Sequence, residues 1–250
     1  MLLLNIFEFI GTVAFAVSGT LIAIQKKLDL FGILTLAVVT AVGGGIFRDI
    51  IIGHNPPSAF KNPFYCVISI LTALIIMTLY SSYLKYHYNK IQREMSNADC
   101  NEDLQKLELQ KRIEFLHAKT ALLKKVNTLF DAIGLGVFTA TGANIAIHNN
   151  FSNLFLVLCM GSITGIGGGI LRDVFVQDIP SVFKKEIYAL ASILGAFALW
   201  VCEKYFSVVI ALHICAFVTF AFRMLSLRLN LNLPNVALDK YINKVKMKKI

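Results

Sequence analysis

Gly43-Gly44-Gly45-Ile46-Phe47-Arg48-Asp49 is the stretch on which the reading of this chain turns, because it recurs as Gly167-Gly168-Gly169-Ile170-Leu171-Arg172-Asp173. Each copy is followed by Pro-Ser-x-Phe, at Pro57–Phe60 and again at Pro180–Phe183. Upstream, Glu8-Phe9-Ile10-Gly11 with Ser18-Gly19 matches Asp131-Ala132-Ile133-Gly134 with Thr141-Gly142. The offset stays at 123 or 124 residues throughout, which marks a duplication.

The surroundings of the two copies place them in a membrane. Of 250 residues, 56% are apolar, and the mean hydropathy of +0.67 is too high for an ordinary soluble domain. Charges are bunched, so that Phe9–Gln25, Leu30–Phe47, Asn62–Leu84, Ala132–Leu171, Ile187–Cys202 and Tyr205–Phe222 contain no Asp, Glu, Lys or Arg. Roughly 20 mainly apolar residues make one helix across a hydrocarbon core of about 30 Å. The five shorter runs are therefore one span each. The 40-residue run is two, divided at His148-Asn149-Asn150-Phe151-Ser152-Asn153. The expected fold is an all-α integral membrane protein of seven transmembrane helices.

Each repeat unit holds three spans, an odd number, so the second copy enters the membrane from the opposite side. Seven spans are then two inverted three-helix repeats plus one extra C-terminal helix. The expected division is 1–86 for the first repeat, 87–123 for a polar helical insert, 124–204 for the second repeat, 205–227 for the seventh span and 228–250 for a basic tail. Inverted repeats with paired Gly-interrupted helices are a recurrent build of transport proteins.

The basic residues set the orientation. Lys26, Lys27, nine in residues 85–125, Lys184, Lys185 and six from Arg228 onward fall on one side, about 19 against Lys61 and Lys204 on the other. By the positive-inside rule the amino terminus lies outside and the carboxyl terminus in the cytoplasm. This placement also accounts for the net charge of +9 without a nucleic-acid partner. The first apolar stretch lacks a basic leader and a cleavage site and contains Glu8, so it reads as a retained span. Five cysteines form no CxxC pair and mostly lie in apolar runs, which supports neither a disulfide framework nor a zinc site.

Three glycines in a row predict a break or sharp bend in spans 2 and 5, since glycine costs a helix about 1 kcal/mol against alanine. Freed carbonyls at such a break would line a wet pathway; the alternative is close helix packing through small residues. Arg48 and Arg172 either snorkel to the interfaces or form ion pairs, Glu8 with Arg48 and Asp131 with Arg172. Adjacent positions on a helix point about 100° apart, so Arg48 and Asp49, like Arg172 and Asp173, need not pair with each other. Glu8 and Asp131 have an alternative role as acids near helix N-termini. Ser18-Gly19 and Thr141-Gly142 sit at matched depths and read either as pore lining or as hydroxyls bonded to their own helix. His54, His148 and His213 are isolated, and neither a metal nor a cofactor is expected.

With GGGxxRD repeated before PSxF, and Leu225-Ser226-Leu227-Arg228-Leu229-Asn230-Leu231-Asn232-Leu233-Pro234 after the last span, the chain resembles bacterial inner-membrane proteins of the trimeric intracellular cation (TRIC) channel superfamily, whose repeated domain is also known as a glycine transporter domain. The likeness covers about residues 1–86 and 124–235. It implies a homotrimer in which each subunit has its own pore between the repeats, bent at the Gly triplets and conducting monovalent cations such as potassium. The pore and gate residues it implies are Gly43–Gly45 and Gly167–Gly169 with Arg48, Asp49, Arg172 and Asp173. The polar insert departs from the short connection expected of such proteins. Within it Glu102–Lys125 reads as a helix, with Leu109, Ile113, Leu116 and Leu123 at helical spacing. The tail from Lys240 to Lys249 suits a membrane-surface helix or disorder.

Cation conduction is thus the leading function, with the lipid bilayer and a second and third copy of the chain as partners. Transport of a small amino acid such as glycine is the nearest alternative, and a non-transporting scaffold organised by the insert is another. An enzyme is not expected: G-x-S-x-G and H-E-x-x-H are absent, and the Gly triplets lack the strand-turn-helix context of a phosphate loop.

Overall fold

The computed structural model describes residues 2–96, 102–149, 153–184 and 187–229. These fold into helices α1 (Leu2–Gln25), α2 (Leu30–Ile52), α3 (Ser58–Lys61), α4 (Phe64–Ser96), α5 (Glu102–His148), α6 (Leu154–Phe175), α7 (Ser181–Lys184), α8 (Ile187–Cys202) and α9 (Val208–Arg228). Among the described residues, six helices are long and apolar enough to cross a membrane, and α8 is a shorter apolar helix of 16 residues. At 1.5 Å per residue α8 reaches about 24 Å, short of a full hydrocarbon core.

Local chemistry sets the helix ends. The Asp29 carboxylate accepts a bond from Gly32 N at 2.7 Å to start α2, and Asn153 accepts from Phe155 N to start α6. Both helices finish in a left-handed turn at equivalent positions, Gly53 (φ 83°) and Gln177 (φ 58°). There His54 N donates to Asp49 O and Asp178 N to Asp173 O. The chain then reaches a single-turn helix in each repeat, α3 or α7, before the third long helix begins.

α1, α2 and α4 pack as one group and α5, α6 and α8 as a second, joined through α1 with α5 and α2 with α6; α9 lies against α5 and α8. Alanines Ala16, Ala37, Ala41 and Ala73 surround Phe15 and Phe138 in one core cluster, which lets the helix backbones approach closely. A larger cluster, with Val157, Met160, Leu199, Leu212 and Cys215, fills the space among α5, α6, α8 and α9. Outward faces are apolar too. Val67, Leu71, Ile75 and Leu79 repeat every fourth residue along α4 and are all at least half exposed, as a lipid-facing stripe requires.

One expectation is corrected: the triplets do not break their helices, since α2 and α6 run without interruption through Gly43–Gly45 and Gly167–Gly169. Glu102–Lys125 is helical as expected, and it forms the first half of α5, which continues into the span ending at His148. The second half of α4 and the first half of α5 meet through rings: Tyr83 and His87 lie 6.3 and 5.0 Å from Phe115, and Lys119 Nζ sits 5.1 Å above the Tyr80 ring. The side chains of Leu109, Ile113 and Leu116, and the residues of the tail from 230 onward, lie outside the described residues.

Candidate functional site

Equivalent residues of the two repeats meet one another at the centre of the bundle. The Phe15 and Phe138 rings, 123 residues apart in sequence, lie 5.3 Å apart. Gly11 faces Phe138 and Gly134 faces Phe15. α2 and α6 cross where Gly44 meets the Thr164 carbonyl and Gly168 meets the Thr40 carbonyl: a Cβ on either glycine would lie 2.3 or 2.1 Å from that oxygen. Gly19 sits against Thr40 and Leu36 O, and Gly142 against Thr164 and Met160 O, so α1 holds α2 as α5 holds α6. Thr40 and Thr164 each return their hydroxyl to their own helix, at Leu36 O and Met160 O, 2.6 Å in both cases. Gly43 faces Leu171, and Gly167 faces Gly44. The middle of the triplets is therefore a point of contact between backbones, not an opening.

On either side of this crossing lies a cluster of ionised residues. In the first, at the start of α1 and the end of α2, Arg48 is 5% exposed and Asp49 1%. Arg48 Nε and Nη2 donate to Asp49 Oδ1 at 2.9 and 2.7 Å. The second carboxylate oxygen of Asp49 accepts from Ser58 N at 2.7 Å. The second cluster repeats this at Arg172, Asp173 and Ser181, with Asp173 Oδ2 accepting from Ser181 N at 2.7 Å. The recurring Arg-Asp followed by Pro-Ser thus has a structural meaning. One carboxylate joins the guanidinium to the turn that opens the next short helix. Neighbouring Arg and Asp, which helical geometry leaves free to pair or not, do pair in both repeats.

The clusters differ in what else they hold. Arg172 Nη1 donates to Asp131 Oδ1 at 2.8 Å and to Ser18 Oγ, and Ser18 Oγ donates to Asn127 Oδ1 at 2.7 Å. Ser18, from the first repeat, is thereby tied to the second. Its counterpart Thr141 bonds only its own helix, at Phe138 O, 3.2 Å away. Glu8, the counterpart of Asp131, forms no ion pair with Arg48 among the described residues and lies instead beside Tyr65. The expected Glu8–Arg48 pair is therefore absent. The snorkelling alternative fails at both arginines, which are buried and paired within the bundle.

A cavity of about 60 Å³ opens in the first cluster, lined by Glu8, Thr12, Gly45, Arg48, Tyr65 and Phe138 among others. The two clusters differ most clearly at the third glycine. A Cβ on Gly45 would meet only Arg48 Nη2, at 3.8 Å, whereas one on Gly169 would meet Tyr188 Oη at 3.0 Å and both Arg172 and Asp131 at 3.8 Å. Across the opposite end of the bundle Lys26 Nζ bonds Asp178 Oδ1 at 2.7 Å, joining the α1–α2 turn to the α6–α7 turn.

Three participants escaped the sequence reading. Tyr65 and Tyr188 stand at the same 123-residue offset as the rest and could have been found by extending the repeat comparison. Arg223 interrupts the last apolar helix just past Phe222; it is 3% exposed, and its guanidinium lies 4.5 Å above the Tyr188 ring. Among the described residues no group of three His, Cys, Asp or Glu stands close enough to hold a metal ion.

Comparison with known proteins supports the duplication. A family model described as Glycine transporter matches this chain twice, at residues 5–81 and 128–204. The UPF0126 inner membrane protein YadS of Escherichia coli (strain K12) is 34% identical over 235 residues, covering 93% of this chain and 96% of YadS. The UPF0126 membrane protein YvgT of Bacillus subtilis (strain 168) is 30% identical, covering 92% and 95%. Among solved structures, a prokaryotic TRIC channel crystallised in 0.5 M KCl is 30% identical with a TM-score of 0.74, covering 93% of this chain and 99% of the other. A second, from work on conductance through TRIC cation channels, is 29% identical with a TM-score of 0.69, covering 92% and 96%.

Proposed function

Because this chain belongs to the bacterial glycine transporter family of TRIC-type membrane proteins, we propose that it is a membrane cation channel whose permeant ion is potassium. The observation that carries the reading is the placement of ionised groups inside the spanning bundle. Glu8, Arg48 and Asp49 face a cavity within the apolar helices, and Asp131, Arg172 and Asp173 occupy the matching position in the second repeat. Charges within spans are costly unless paired or set against a water-filled cavity, and they mark ion pathways. The family description and the KCl-grown relative support a small permeant species.

In this reading the two repeats insert with opposite orientation, and α8 acts as a short seventh span. The pathway passes from the Glu8 cavity, across the Phe15–Phe138 contact, to the Asp131–Arg172 cluster. The Gly44–Gly168 crossing is the hinge about which α2 and α6 move, so the glycines act by permitting close sliding contact, not by exposing backbone carbonyls. Gly43, Gly45, Gly167 and Gly169 flank that hinge, and Ser18-Gly19 and Thr141-Gly142 seat it. The amino terminus faces outward and the carboxyl terminus the cytoplasm. Three copies assemble in the bacterial inner membrane.

The test is reconstitution of purified protein into liposomes with parallel measurement of potassium and glycine fluxes. Conduction gives potassium flux that rises linearly with driving force and discrete single-channel events in planar bilayers. Saturable glycine uptake without such events would replace the channel with a carrier.

A further inference from the structure

The two clusters are built from the same parts but do not carry the same charge. In the second, Asp131 and Asp173 share Arg172, and Arg223 brings a further positive charge over the Tyr188 ring. The second cluster thus gathers two carboxylates, Asp131 and Asp173, and two guanidiniums, Arg172 and Arg223. In the first, Arg48 is committed to Asp49, and Glu8 stands beside Tyr65 with no basic side chain among the residues lining the cavity except Arg48. Two carboxylates there face one guanidinium. Arg223 lies on α9, the helix that has no partner in the first repeat, so the duplication supplied no equivalent for it.

Glu8 is a partly buried carboxylate near the start of α1 that lines a cavity and has no ion-pair partner among the described residues, so a mobile cation can complete the charge there. The space is adequate: a water-sized body needs about 10–15 Å³ by this measure, and the cavity offers about 60 Å³. Glu8, Thr12 and Tyr65, which line it, bear the kind of oxygen groups that suit a hard cation.

We propose that the Glu8 cavity binds one monovalent metal cation, in the role that Arg223 fills permanently in the second cluster. The proposal deepens the cation-channel reading and rests on it for the class of ligand. It makes Glu8 the residue that draws a cation into the path, and Arg223 a built-in counter-charge that keeps the second cluster from holding a cation of its own.

The experiment follows thermal unfolding of the purified full-length protein in detergent while KCl replaces N-methyl-D-glucamine chloride at constant ionic strength, the organic cation being too large for the cavity. Potassium is expected to raise the unfolding temperature in a saturable way, as any ligand selective for the folded state does. Glu8→Gln should weaken this response, with the half-saturating potassium concentration rising on the order of tenfold. Glu8→Asp, which keeps the charge, should retain the response. Arg223→Gln should enlarge it, because the second cluster then also lacks one positive charge. A wild-type protein indifferent to potassium, or a Glu8→Gln response equal to wild type, would overturn the site. An unchanged response in Arg223→Gln would overturn the counter-charge role. Flux measured on the same preparations separates the two readings: potassium-dependent stability without potassium flux leaves the site standing and removes the channel.

Discussion

Adding a single methyl group at successive positions of one glycine triplet should change stability in opposite directions. At Gly44 the new Cβ would lie 2.3 Å from the Thr164 carbonyl oxygen, and at Gly168 2.1 Å from that of Thr40. Ordinary contact begins near 3.4 Å, so α2 and α6 must part by about 1.1 to 1.3 Å. Neither obstacle is a side chain that can rotate away, because both are helix backbone. Overpacking of this kind costs about 1–3 kcal/mol. At Gly45 the nearest atom to the new Cβ is a guanidinium nitrogen at 3.8 Å, so Gly45→Ala meets no clash and gains up to about 1 kcal/mol of helix propensity. For a chain of this length about 1 kcal/mol moves the unfolding temperature by roughly 2–4 °C. Gly44→Ala and Gly168→Ala should therefore lower it by about 2–12 °C, and Gly45→Ala should leave it level or raise it by about 2–4 °C. Thermal unfolding in detergent, followed by circular dichroism, reads both. The double variant Gly44→Ala with Gly168→Ala should cost less than the sum, because the first separation makes room for the second. Equal shifts at Gly44 and Gly45 would refute the reasoning, since they are what a flexible break in α2 would produce.

Asp131→Asn should destabilise the protein by about 3–5 kcal/mol, because it removes one partner of a buried pair and leaves Arg172 to Asp173 alone; Ser18→Ala, which removes a neutral partner of the same guanidinium, should cost about 1–3 kcal/mol, and denaturation of the two side by side gives the order. Gly195→Ala would bring a Cβ to Thr219 Oγ1 and to Cys215 O at 3.1 Å, so its loss of stability should be largely restored by adding Thr219→Ala, a pairing that a double-mutant cycle detects as a coupling of about 1 kcal/mol or more. Gln177→Gly should stabilise by about 1 kcal/mol, because Gln177 adopts the left-handed turn (φ 58°) that its counterpart Gly53 adopts without a Cβ; an unchanged unfolding temperature would count against strain at that turn.

Much of the architecture was legible because membrane insertion leaves a one-dimensional record. Charge-free runs gave the spans, since unpaired polar groups cannot be tolerated in lipid, and the constant offset revealed two copies of one unit. The residues that matter to the site were legible for the same reason. Glu8, Arg48, Asp49, Asp131, Arg172 and Asp173 stand out as charges beside or within apolar runs. Tyr65 and Tyr188 were hidden only because aromatic residues are common in spans and carry no signal until the repeat is aligned through them.

What the sequence could not convey is which of several short-range options each group takes, because that depends on distances between segments more than a hundred residues apart. Three glycines are compatible with a broken helix or with a close crossing; the apposition of Gly44 with Thr164 and of Gly168 with Thr40 decides for the crossing. Adjacent Arg and Asp are compatible with separate partners or with each other; the α3 and α7 turns, which offer Ser58 N and Ser181 N to the carboxylates, decide for each other. Symmetry of sequence also implied symmetry of environment. Tertiary packing made the two clusters electrostatically different: Arg172 pairs with Asp131 where Arg48 does not pair with Glu8, and α9 brings Arg223 to one repeat and not to the other. Composition and periodicity are properties of single helices and survive in the primary structure, whereas charge balance at a buried point is a sum over every helix that reaches it.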